Sequence, residues 1–167
     1  MNSWATPAIP ALGKTRDLPA LALTDTATSA KKALPKKNVY RMYVCGITPY
    51  DATHLGHAAT YLTFDLINRY LRAAGAEVLY VQNITDIDDP LLERANRDGV
   101  DWSHLAHQQI DLFKADMVEL RVIPPAHYIG AVEAIPLVVN AIAELQEQSS
   151  IYSVDTDYYF SVKSDSK

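Results

Sequence analysis

The chain has 167 residues, 49% of them hydrophobic, with a formal net charge of -5 and a pI near 5.4. That much apolar material supports one modest domain with a core and excludes a disordered chain, and the acidic balance excludes a basic footprint of the kind that coats nucleic-acid binders. No apolar run is long enough to span a bilayer, the opening "MNSWATPAIP" lacks the regions of a secretory signal, and the single cysteine, Cys45, excludes an internal disulfide, so the expectation is a cytoplasmic protein without a membrane partner.

Residues 1–38 contain Pro7, Pro10, Pro19 and Pro35 and a "KKALPKK" run from Lys31, and read as an extension with little regular structure and solvated lysines. Regular patterning starts at Val39, where "VYRMYVC" alternates as a strand does. A turn-rich segment to about Thr53 leads into a helix with Leu62, Leu66, Ile67, Tyr70 and Leu71 on its apolar side and Gly75 as its C′ residue. "EVLYVQNI" is a second strand; Asp89 as N-cap and Pro90 as first helical residue then open a short helix that Gly99 ends. Ser103 is the expected cap of the longest helix, whose stripe is Leu105, Ala106, Ile110, Phe113, Met117 and Leu120.

"LRVIPP" reads as a third strand stopped by Pro124, followed by a helix with Ile135, Val138, Val139, Ile142 and Leu145. "IYSVDTDYYFSV" reads as two short strands around "DTD". Strands alternating with helices predict an α/β fold with a parallel, Rossmann-like sheet and crossover helices. Ligands bind such sheets outside the carboxyl ends of the strands, where "CGITPYDATHLGH" and "NITDIDD" fall.

The first of these turns contains Cys45, His54, Gly56 and His57. A cysteine at a strand end is commonly a small buried hydrophobe, and two histidines three apart commonly sit on a helix surface. The spacing also suits phosphate chemistry. The helix N-terminus offers free N–H groups and positive potential, and two imidazole donors beside it can stabilise charge on an attacked α-phosphate. Gly56 leaves room for a flat base against the backbone. No Gly-Lys-Ser/Thr follows, so this is not a P-loop.

"HLGH", His54 to His57, resembles the "HIGH" box of class I aminoacyl-tRNA synthetases. With "YVCGITPYDATHLGHA" and "YVQNITDIDDPLLERA" in that order, residues 41–145 resemble the cysteinyl-tRNA synthetase superfamily. The tRNA-charging branch typically has an arginine where this chain has Ala59 and a lysine where it has Pro90, and it differs at Ile47 and Pro49. Those departures, and the opening "NSWATPAIPALG", resemble the mycothiol ligase branch. A cysteinyl-tRNA synthetase fragment and a non-catalytic nucleotide-binding remnant are the alternatives.

The resemblance implies the first half of a HUP-type class I catalytic domain over 39–148, after the extension at 1–38, and the start of a connective insertion over 149–167. It implies ATP-dependent ligation of L-cysteine to the amine of glucosaminyl-inositol through a cysteinyl-adenylate, in a monomer without a nucleic-acid partner. His54 and His57 would act in catalysis. Cys45, Gly46, Ile47, Thr48, Gly56, Thr60, Asn83, Ile84 and Thr85 would line the adenylate site, with Cys45 also a Zn²⁺ ligand whose companions lie in the family's downstream region. ATP would enter with Mg²⁺. The chain ends before the family's "KMSKS" loop, so residues 1–167 alone are expected to be inactive. For Asp86, Asp88 and Asp89 two uses stay open, Mg²⁺ binding and stabilising a helix start. His104, His107 and His127 read as surface or packing residues, and Trp102 as a hydrophobic staple.

Overall fold

A computed structural model describes residues 1–10 and 18–165. Residues 11–17 of the expected extension and 166–167 of the expected insertion lie outside the described residues. The centre is a three-stranded sheet of β3 (Val39–Val44), β4 (Glu77–Ile84) and β5 (His127–Gly130), parallel throughout, with β4 in the middle. Helix α1 (Leu55–Ala73) connects β3 to β4, and α2 (Asp89–Asp98) with α3 (Trp102–Glu119) connects β4 to β5. This is the expected α/β layout. All three strands run the same way, so the loops after β3 and β4 and the start of α4 (Ala131–Glu147) share one sheet edge.

The alternation in β4 sets the core: Val78, Tyr80, Gln82 and Ile84 are buried while the residues between them are less so. On that face Phe113 of α3 meets Tyr61 of α1 and Trp4 edge-on, with centroids 5.0 and 5.8 Å away. Trp4 comes from the segment expected to have little structure. It is buried, and its Nε1–H donates to the Val122 carbonyl at 2.8 Å. The same segment contains a hairpin, β1 (Ala22–Asp25) paired with β2 (Ala30–Ala33). Asp25 holds its turn by accepting from the Ala27 amide and the Thr28 hydroxyl, and it pairs with Lys32.

Three boundaries differ from expectation, each because a different polar group captures a backbone donor. Asp88, not Asp89, caps α2, and Asp101, not Ser103, caps α3 by accepting from the His104 amide at 2.9 Å. The third strand is His127–Gly130 rather than "LRVIPP". Pro124 and Pro125 have no N–H for a ladder, and the Ile123 amide is taken by Asp65 Oδ1 at 2.9 Å. Leu66 lies outside the buried stripe of α1, which is Tyr61, Asp65, Asn68 and Leu71.

Helix α4 forms as expected, yet none of its residues is buried, and Leu137, Val138 and Val139 are exposed. The closing hairpin, β6 (Ile151–Val154) with β7 (Asp157–Phe160), turns at "DTD" as expected, with Tyr152 and Tyr159 stacked across it at 5.5 Å. Gly75 follows the C-cap of α1 with φ 89, and Gly99 ends α2 with φ 66, both in the left-handed region that favours glycine.

Asp65 links α1 to the strand-entry segment. One oxygen receives the Ile123 amide and the other pairs with Arg69 Nε at 2.6 Å. Asp65→Ala strands a buried N–H, and urea unfolding of the complete protein should show a loss of about 1–3 kcal/mol. Asp65→Asn, which can still accept from Ile123, should lose clearly less.

Candidate active site

The strand-end turns are joined directly. The Gly46 amide donates to Asn83 Oδ1 at 2.8 Å, and the Thr85 amide donates to the Ile47 carbonyl at 3.0 Å. A Cβ on Gly46 would overlap the Asn83 carbonyl oxygen, so this approach requires glycine. Farther out, the Thr48 hydroxyl donates to Asp88 Oδ2 at 3.3 Å while Asp88 Oδ1 accepts the Asp89 amide at 2.8 Å. Ile47, Pro49 and Ile84 are buried, so the turns rest on an apolar floor, and Ile47 and Ile84 present only backbone to a ligand.

His54 is the N-cap of α1 and His57 its N3 residue, and they form a reciprocal cap. The Gly56 amide donates to His54 Nδ1 at 3.0 Å, and the His54 amide donates to His57 Nδ1 at 3.2 Å. The rings lie 4.1 Å apart at a 30° tilt. A nitrogen that receives an N–H cannot carry a proton, so each neutral ring has its proton on Nε2. Each histidine thus spends Nδ1 on the helix start and keeps Nε2–H as a donor. Burial, and then the adjacent His54 ring, lower the His57 pKa below its ordinary 6.5.

Gly56 has a local structural role as well. A Cβ there would stand 2.8 Å from His54 Cε1, so the absent side chain makes room for the capping imidazole. The Thr60 hydroxyl donates back to the Gly56 carbonyl at 3.1 Å within the helix. Asn83 keeps its amide Nδ2–H₂ for a ligand after its oxygen has taken Gly46. Cys45 is exposed, and its carbonyl accepts from the buried Tyr61 hydroxyl at 3.2 Å. Burial raises the Tyr61 pKa well above a phenol's, so the hydroxyl stays a donor.

The acidic residues of "TDIDD" diverge. Asp86 Oδ1 accepts the Val132 amide at the start of α4, Asp88 caps α2, and Asp89 is its exposed first residue. Among the described residues no group of three or more His, Cys, Asp or Glu side chains could hold a metal ion. Cys45, His54 and His57 therefore do not form a local zinc site, and both Nδ1 atoms are occupied by backbone. The contacts of Asp86 and Tyr61 are ones that strand and helix periodicity leave out, because their partners are backbone atoms far along the chain.

An open parallel sheet whose carboxyl edge gathers a histidine-capped helix and two stitched polar turns defines a Rossmann-type α/β protein. The family described as "tRNA synthetases class I (C) catalytic domain" matches residues 31–167, and the chain belongs to that family. It is 58% identical over 163 residues to the L-cysteine:1D-myo-inositol 2-amino-2-deoxy-alpha-D-glucopyranoside ligase of Parafrankia sp. (strain EAN1pec), covering 97% of this chain and 36% of that protein. The protein of the same name from Kribbella flavida is 57% identical over 168 residues, covering 99% of this chain and 41% of its own length. The chain thus spans about two fifths of these relatives. The LeuRS–tRNA–LeuAMS ternary complex of Agrobacterium radiobacter K84 shares the fold, with TM-score 0.60 and 19% identity over 70% of this chain and 15% of that one.

Protonating His57 would fill the Nδ1 that receives the His54 amide. With the folded pKa below 6.5, the unfolded chain takes up this proton first as pH falls. The contribution is therefore complete above pH 6.5 and is lost as the pH drops through the lower folded value. Thermal unfolding between about pH 8 and pH 5 should show a declining midpoint on the acid side, with a shallower decline in His57→Asn.

Proposed function

We propose that this chain is the nucleotide-binding part of an ATP-dependent ligase that joins L-cysteine to the amine of glucosaminyl-inositol. The observation that carries the reading is the 54–58% identity, over nearly the whole chain, to relatives named as that ligase. Ala59 and Pro90 support the acceptor choice. Both positions are exposed, so basic side chains would fit there, yet the chain has none. Affinity for a polyanionic tRNA depends heavily on such charges.

In this reading the cysteine carboxylate attacks the α-phosphorus of ATP, pyrophosphate leaves, and the acceptor amine then displaces AMP from the cysteinyl-adenylate. No protein nucleophile is required; orientation and charge stabilisation suffice. The Nε2–H groups of His54 and His57 donate to the phosphoryl oxygens as negative charge builds. Their rings are aimed by the same backbone bonds that start α1. Asn83 Nδ2 and the Thr48 hydroxyl face the adenylate from the stitched turns.

Cys45 is the one thiol of the chain and would be one ligand of a zinc ion that offers a soft Lewis acid for the substrate thiol. The described residues do not complete a zinc site, and its other ligands would come from outside them. The setting would be cytoplasmic.

In the complete protein, pyrophosphate exchange into ATP should depend on cysteine and not on serine. Offered tRNA and glucosaminyl-inositol together, it should acylate the sugar amine; preferential charging of tRNA would reverse the acceptor assignment. His54→Asn separates catalysis from capping, because asparagine is a good N-cap but lacks the Nε2–H donor. Single-turnover adenylation should fall on the order of 100- to 1,000-fold with little change in melting temperature. Equal loss of both would reduce His54 to a structural cap.

A further inference from the structure

The second polar turn is tied on its β3 side by the Thr85 amide and on its β5 side by Asp86. Helix α4 has Gly130 as its N-cap residue, which offers no side chain of its own. Asp86 supplies the missing acceptor, taking the Val132 amide at 2.9 Å across 46 positions of sequence. The fit is close, because a Cβ on Gly130 would overlap Asp86 Oδ2. Gly130 is also the register partner of Ile84, the last residue of β4. The segment after Ile84 therefore crosses the strand ends with one anchor on the histidine-bearing turn and the other on α4.

Helix α4 buries none of its residues, so packing does little to hold its start in place. Ties at its first turn include Asp86 and the ion pair of Glu133 with the chain's amino terminus at 2.6 Å. A carboxylate there also meets the positive end of the helix dipole. Removing it would free the turn that presents Thr85 and Asp88, and Asp88 in turn receives Thr48.

We propose that Asp86 is a positioning residue: by capping α4 from within the second polar turn, it holds that turn in register across the strand ends for adenylation. The adenylation part rests on the function proposed above; the clamp itself does not. A direct role as a Mg²⁺ ligand is the competing use of the same carboxylate.

The test uses the complete protein with Asp86→Ala, Asp86→Asn and Gly130→Ala. Hydrogen exchange of the Val132 amide reads the clamp, and cysteine-dependent pyrophosphate exchange over a Mg²⁺ titration reads the site. Asp86→Ala and Gly130→Ala, which attack the contact from opposite sides, should both speed Val132 exchange. Both should lower pyrophosphate exchange about 10- to 100-fold, the scale of a small misplacement, at an unchanged half-saturating Mg²⁺. Asp86→Asn, which keeps the acceptor oxygen, should stay within about threefold of wild type. If the Asn variant keeps Val132 protected but loses activity as fully as Ala and needs more Mg²⁺, Asp86 is a metal ligand and the proposal is overturned. Unchanged Val132 exchange in Asp86→Ala overturns it as well. A wild type without cysteine-dependent exchange sinks the ligase reading instead, while the Val132 pattern still decides the clamp.

Discussion

Where β3 and β4 run out, the backbone of Gly46 lies against the carbonyl of Asn83 with no space for a side chain. Two hydrogen bonds carry the pairing beyond the last strand residues, Gly46 to the Asn83 side chain and Thr85 to the Ile47 carbonyl. Loops at a sheet edge are normally free to diverge, since their polar groups find water. Here the buried Ile47, Pro49 and Ile84 pull both turns down while those bonds lock them side by side. The geometry of the site follows from that contact.

Much of the site's polarity is committed to structure. Asp88 starts α2, Asp86 starts α4, and both histidines start α1 through Nδ1. Each helix that begins at this edge brings unsatisfied amides and positive potential, so the acids and imidazoles answer a need of the fold before any need of a ligand. The bonds that build the turns leave the two Nε2–H groups and the Asn83 amide nitrogen uncommitted, beside the exposed Cys45. Donors fixed by backbone bonds reorganise little when charge develops nearby, which is the condition for efficient stabilisation of a transition state.

The amino-terminal segment and α4 differ in how they join this frame. Trp4 reaches the core between Phe113 and Tyr128 and satisfies its indole N–H on Val122, so a proline-rich stretch becomes part of the domain. Helix α4 has an equally clear apolar pattern but keeps it on the surface. Amphipathic pattern predicts a helix; whether its stripe is covered depends on what stands opposite in three dimensions.

The sequence alone determined the parallel α/β order, the glycine stops of α1 and α2, the closing hairpin and the family motifs, because strand alternation, helical period and glycine at positive φ are local properties. The tertiary structure decided the rest. It moved the third strand past Pro125, since Asp65 captured the Ile123 amide from another element. It brought Asp86 Oδ1 to the first turn of α4, while the caps at Asp88 and Asp101 were settled among local donors. It also put Trp4 in the core. For Asp65, Asp86 and Trp4 the partner is a backbone atom brought up by chain packing from far along the chain, and a side chain's choice among such partners depends on distances that spacing along the chain does not encode.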